Sequence, residues 1–204
     1  MLTSSLNIKE TEMKIVIVRH GETDYNKSKR IQGKQELSLN EKGKTQARQV
    51  AESLRQHKIT HIYCSSLVRA RETAEIINNS FSLPIVTDES LDERDWGTWE
   101  NRLHDDILKQ NPELVDSLFG MGLDANPHEG ETARALIKRS VGFLRQTIEN
   151  HAESDVILVV THGGPITVML GFMKDLRLEE YFHQGVENGQ ILIVEYTNSE
   201  FVFE

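Results

Sequence analysis

The chain has 204 residues, 38% of them hydrophobic and 27% charged, with a formal net charge of −9. That balance fits a folded globular chain with a real core and excludes a disordered one. The acid excess argues against a nucleic-acid or anionic-membrane partner, no apolar run approaches the ~20 residues of a membrane span, and a single cysteine, Cys64, excludes an internal disulfide framework and points to a cytoplasmic setting.

Residues 1–12 read as a frayed extension without the basic-then-apolar pattern of a signal peptide, and Met13 is an alternative start. The β-branched run 14–18 predicts a buried strand that stops at Arg19-His20-Gly21. Asn40 resembles an N-cap for a helix over 41–56, whose Ala47, Val50, Ala51 and Leu54 share one face. A strand over 59–63, a helix over 66–78 and a short strand over 84–86 follow. Residues 97–130 break this rhythm. They are acidic, rich in glycine and proline, and carry Leu103, Ile107, Leu108, Leu114, Leu118, Phe119, Met121 and Leu123. They read as a lid-like helical insertion over one end of the sheet. A helix over 131–150 leads to the strongest strand signal, 156–160, which runs into Thr161-His162-Gly163-Gly164 and a helix from Pro165. Residues 191–196 and 201–203 predict a terminal hairpin. The alternation predicts an α/β fold, three layers (α/β/α) around a mainly parallel sheet, with 13–204 as one domain.

Several motifs fail on spacing. Gly43-Lys44-Thr45 lacks the first glycine of a phosphate-binding loop, since position 38 is Ser38. Cys64 and Arg69 stand one residue too close for a cysteine phosphatase, so Cys64 reads as a small buried residue. His104-Asp105-Asp106 has no further ligands at metal spacing, and no metal is expected.

Two histidines stand apart. His20 and His162 each follow a buried strand and each precede a glycine. Ligands of parallel sheets bind at the carboxyl ends of the strands. Arg19 adjoins His20, and Arg69 follows the second strand. Two guanidiniums and two imidazoles at one edge predict a cage for a tetrahedral dianion. The charge distribution agrees: residues 13–73 carry 13 basic and 6 acidic side chains, whereas 74–204 carry 9 and 24.

The motifs Val18-Arg19-His20-Gly21-Glu22-Thr23-x-x-Asn26, Arg30-Ile31-Gln32-Gly33, Asn40-x-x-Gly43-x-x-Gln46-Ala47, Ser65-Ser66-Leu67-x-Arg69-Ala70-x-x-Thr73-Ala74, Leu91-x-Glu93-x-x-x-Gly97-x-Trp99-Glu100, Gly130-Glu131-Thr132 and Val160-Thr161-His162-Gly163-Gly164 occur in this order. Together they resemble the histidine phosphatase superfamily, also called the phosphoglycerate mutase-like family, and its compact broad-specificity phosphatases. The resemblance implies that His20 is a nucleophile forming a phosphohistidine. It implies that Arg19, Arg69 and His162 hold the phosphoryl group, with Asn26, Thr23, Gln32, Gly33 and Gly163 completing the pocket. Glu93 would be the acid for the leaving oxygen and then the base for water. Asp92 and Asp95 flank it and could share that duty; the family places its acid two residues after Leu91 and four before Gly97, which favours Glu93.

The activity so implied is hydrolysis of a phosphomonoester, with no cofactor and a small phosphorylated metabolite as partner, in a monomer or homodimer. α-Ribazole phosphate, a sugar phosphate and a phosphoglycerate are all open as substrates. Two alternatives stand beside it: a cofactor-dependent phosphoglycerate mutase, whose insertion after the acidic loop is usually longer than 97–130, and a non-catalytic phospholigand-binding module. One departure is that Glu36-Leu37-Ser38-Leu39-Asn40 lacks the proline of the family's usual stretch, which leaves the path of this loop open.

Overall fold

The computed structural model describes residues 12–110, 123–124, 126, 129–177, 180–181 and 185–204. Met13–Arg19 (β1), His61–Cys64 (β2), Ile85–Thr87 (β3), Val156–Thr161 (β4), Ile191–Thr197 (β5) and Glu200–Phe203 (β6) form one sheet in the order β3-β2-β4-β1-β5-β6. The first four positions in that order are parallel, and β5 and β6 add an antiparallel hairpin at the edge. The helices are Asp24–Lys27 (α1), Glu41–Ser53 (α2), Val68–Asn78 (α3), His104–Gln110 (α4), Ala133–Asn150 (α5) and Gly163–Met173 (α6).

Successive strand residues point to opposite faces, and both faces of the central strands are apolar. Val16 and Val18 of β1 pack with Leu158 and Val160 against Val50 and Leu54 of α2 and Ala70, Ala74 and Ile77 of α3. Ile15 and Ile17 pack with Ile157 and Val159 against Phe143 and Leu144 of α5 and Ile166, Met169 and Leu170 of α6. The three layers of the predicted α/β/α sandwich follow from that alternation. Burying one such Ile or Leu side chain contributes about 1.5–3 kcal/mol.

The differences from the predicted elements lie at the ends. The predicted helix from Ser66 starts at Val68, because Ser66 spends its backbone N–H and its hydroxyl on Asp92. The predicted helix from Glu131 starts at Ala133, capped by Thr132, whose hydroxyl accepts from Ala135 N. Helix α6 begins at Gly163, before Pro165, which falls in the first turn where no N–H is needed. Asn40 caps α2 as predicted, with its side chain accepting from Gly43 N at 2.9 Å. Part of the predicted lid is α4, whose Ile107 packs with Ile31, Trp96 and Trp99 in a small separate core. Leu114, Leu118, Phe119 and Met121 lie outside the described residues.

Candidate active site

The parallel register pairs Arg19 with Thr161, so β1 and β4 end side by side. The next residue on each strand is a histidine. Their rings lie 5.0 Å apart between centroids, and both are buried, His20 with 1% of its surface exposed and His162 with none. Nδ1 of His20 is 2.7 Å from the carbonyl oxygen of Gly21. A carbonyl only accepts, so Nδ1 carries the proton and Nε2 keeps its lone pair. Burial, then the charges of Arg69 and Arg19, hold His20 well below the ordinary histidine value of 6.5. The ring is therefore neutral at physiological pH, with one nitrogen ready as a nucleophile.

Arg69 is fully buried on α3. Its terminal nitrogens donate to the carbonyls of Gln35 and Gly33, both at 2.8 Å. That grip fixes the segment just ahead of 36–40, the stretch that departs from the family's usual sequence. Gly33 sits at φ 51°, and a Cβ there would overlap the Glu100 carboxylate. Arg19 donates to the carbonyl of Val186, in the segment preceding β5. Burial lowers both guanidiniums, Arg69 to about 10, which leaves them cationic at neutral pH. The Nε of each arginine and Nδ1 of His162 are buried with no hydrogen-bond partner. An unpaired buried donor costs about 1–3 kcal/mol, so two unpaired guanidinium N–H groups mark a place for anionic oxygens.

Glu93 faces the same end of the sheet. Its Oε1 accepts from Arg94 N at 2.8 Å and from Gly164 N at 3.1 Å. A Cβ built on Gly163 would lie 3.7 Å from Arg19 Cζ and 3.9 Å from Glu93 Oε2. The acid and the cation therefore converge at the start of α6. Of its two neighbours, Asp95 uses its carboxylate to accept from Gly97 N at 2.8 Å. Asp92 is bonded to Ser65, Ser66 and Lys34. Both neighbouring carboxylates are thus committed to other partners.

The remaining predicted residues take supporting positions. Thr23 caps α1 and its hydroxyl donates to Gln32 Oε1 at 2.9 Å. Asn26 accepts from Thr23 N at 3.1 Å and from Asn188 Nδ2 at 3.3 Å. Arg30 donates to the carbonyl of Asn101 at 2.5 Å. Cys64 is buried, and burial pushes its thiol up to about 12, as suits an unreactive core residue. Among the described residues, no three His, Cys, Asp or Glu side chains cluster as metal ligands. No described helix is long and apolar enough to cross a membrane.

Sequence reasoning missed four contributors. Asn188 donates to the carbonyl of His20 at 3.0 Å. Ser65 bonds His162 Nε2 at 2.7 Å. The backbone N–H of Gly164 fixes Glu93, and a Cβ at Gly164 would overlap Glu93 Oε1. Arg139 of α5 donates to the carbonyls of Ser90, Asp92 and Glu93 at 2.9, 2.5 and 3.1 Å. Ser65 and Gly164 stand inside recognised motifs, which is the signal that could have found them. Arg139 has none.

The model of the histidine phosphatase superfamily (branch 1) matches residues 15–204. "Phosphoglycerate mutase-like protein 4" of Arabidopsis thaliana is 39% identical over 155 residues, covering 74% of this chain and 67% of that protein. "Probable phosphoglycerate mutase GpmB" of Yersinia pestis (strain Pestoides F) is 33% identical over 187 residues, covering 92% of this chain and 86% of that one. Among solved structures, a mycobacterial glucosyl-3-phosphoglycerate phosphatase in complex with VO3 superposes with a TM-score of 0.84 at 26% identity, over 94% of this chain and 96% of that one. The alpha-ribazole phosphatase from Shigella flexneri gives 0.83 at 25% identity, over 94% and 95%. With the paired histidines, Arg19, the buried Arg69 and Glu93 at one end of a matching sheet, the chain belongs to the histidine phosphatase superfamily.

Proposed function

We propose that the protein is a phosphomonoesterase that passes the phosphoryl group of a small phosphorylated metabolite to His20 and then to water. The observation that carries this reading is the pair of unpartnered guanidinium N–H groups beside a buried neutral imidazole. In the first step, Nε2 of His20 attacks phosphorus in line, the P–O bond to the leaving group breaks, and Glu93 gives its proton to the departing oxygen. The backbone N–H groups of Arg94 and Gly164 hold that carboxyl in place, Gly164 N reaching Oε1 at 3.1 Å and Oε2 at 3.4 Å. In the second step, Glu93 takes a proton from water, the water oxygen bonds to phosphorus, and the P–N bond breaks. Arg19 and Arg69 hold the equatorial oxygens and supply the positive charge that loose phosphoryl transfer requires. We read 13–204 as one domain, and place it in the cytoplasm on its single, buried cysteine.

Turnover of an aryl phosphate tests this. Activity should persist in EDTA, vanish in His20→Ala, and leave acid-labile phosphate on wild-type protein quenched during turnover. Metal dependence, or full activity in His20→Ala, sinks the mechanism. The names of the Arabidopsis and Yersinia relatives support a second reading, phosphoglycerate mutase. Incubation with 3-phosphoglycerate, with and without bisphosphate primer, separates the two. Fast primer-dependent isomerisation with little free phosphate selects the mutase.

A further inference from the structure

Asp92 is a buried carboxylate, 3% exposed, with no place in the two-step cycle. Its Oδ1 accepts from Ser65 Oγ at 2.7 Å and from Ser66 N at 2.9 Å, and its Oδ2 pairs with Lys34 Nζ at 2.8 Å. Burial opposes its charge, but Lys34 and the serine hydroxyls outweigh burial and hold the carboxyl below its ordinary value. An ionised carboxylate only accepts, so Ser65 directs its hydroxyl hydrogen at Asp92. Ser65 Oγ is then an acceptor, for Leu67 N at 3.2 Å and for His162 Nε2 at 2.7 Å. The proton of neutral His162 is thereby fixed on Nε2. Nδ1, the ring nitrogen without a partner, carries a bare lone pair. A bare lone pair repels a phosphoryl oxygen, and only a second proton turns Nδ1 into a donor.

We infer that Asp92 and Ser65 are positioning residues that make His162 grip the phosphoryl group as an imidazolium, so that phosphoryl binding is coupled to protonation of Nδ1. The inference rests on the phosphoryl reading of the site given above. The proton comes from solvent when the ligand arrives as a dianion and from the ligand when it arrives as a monoanion; the bound state is the same. Before binding, His162 faces Arg19 and His20 from the end of β1, Arg69 from α3 and Arg139 from α5. Burial first, then these charges, keep it neutral. A bound dianion reverses the local sign, and the protonated ring then lies between two anions, the phosphoryl group and, through Ser65, Asp92.

Inorganic phosphate is the probe. Histidine ¹⁵N NMR of the full chain should show His162 protonated at Nε2 alone without phosphate and at both nitrogens with it. Calorimetry in buffers of different ionisation enthalpy should show net proton uptake above the second pKa of phosphate. In Asp92→Asn the bound imidazolium loses its counter-charge, so the pH at which the complex gives up that proton should fall by about one unit. Lys34→Met, which removes the cation paired with Asp92 and leaves the carboxylate, should not lower that pH. The inference is overturned by a free His162 protonated at Nδ1. It is equally overturned by phosphate that perturbs His20 while leaving His162 singly protonated, by a pH response unchanged in Asp92→Asn, or by Lys34→Met reproducing Asp92→Asn. Those results leave the phosphoryl site standing. Phosphate that perturbs neither ring removes both.

Discussion

Gly164 shows how tightly one backbone position controls the acid. Its N–H holds Glu93 Oε1, and the same oxygen occupies the space a side chain would need. Gly163, by contrast, has room for a methyl group, with nothing closer than 3.7 Å. Gly164→Ala should therefore displace Glu93 and lower kcat by about a hundredfold, as misplacement on the ångström scale does, while leaving phosphate affinity nearly unchanged. Gly163→Ala should be much milder. Steady-state kinetics with phosphate as a competitive inhibitor reads both quantities. At this scale His20, His162, Arg19 and Arg69 were legible, because strand ends and residue type suffice to name them. The choice between Asp92, Glu93 and Asp95 was not legible from chemistry alone, since three adjacent carboxyls differ only in what surrounds them.

The loop that carries Glu93 has little regular structure of its own, two 3-10 turns at Glu89–Leu91 and Gly97–Trp99. Helix α5 supplies the missing restraint. Arg139 forms a two-pronged pair with Glu131 at 2.7 and 2.8 Å and spreads its other hydrogens over three loop carbonyls. Thr161 adds a bond from β4 to the carbonyl of Leu91 at 2.5 Å. Arg139→Met should lower kcat on an aryl phosphate about tenfold with a smaller change in KM, because the acid is held less firmly. Arg139→Lys should fail to restore the rate, since an ammonium cannot reproduce the planar fork. An equal loss in KM would instead place Arg139 in ground-state binding. A helix over 131–150 was predicted, but a partner consisting of main-chain carbonyls leaves no trace in the side-chain pattern.

Across the whole molecule, the basic sector resolves into two populations. Arg69 is buried and Arg19 half-buried at the site. Lys42, Lys44 and Arg55 pair locally with Glu22, Glu41 and Glu52 at 2.6, 2.8 and 2.8 Å on or beside α2. Such exposed pairs contribute about 0–1 kcal/mol and make little lasting field. The buried site has a larger effect on stability. His20 and His162 are both held below the ordinary value of 6.5, so the unfolded chain binds protons that the native rings refuse. Stability from these groups is fully present above about pH 6.5 and falls as the pH drops below it. Urea unfolding at about pH 7.5 and about pH 5.5 should show a lower midpoint at the acid value, with part of the difference removed in His162→Phe. An unchanged midpoint would contradict the buried neutral rings.

Strand β1 lies between β4 and β5, neighbours supplied by residues 156–161 and 191–197. A ribosome delivers β1 first and its partners last. Until residues 156–161 emerge the strand bearing Arg19 at its end has no parallel neighbour to join, and the bond from Asn188 to the carbonyl of His20 closes after that. Pairings of such wide sequence separation form slowly, after a large loss of chain entropy. A nascent chain must therefore carry a bare, β-branched segment until residues 156–197 have been made, and that segment is where a holding chaperone has most to protect.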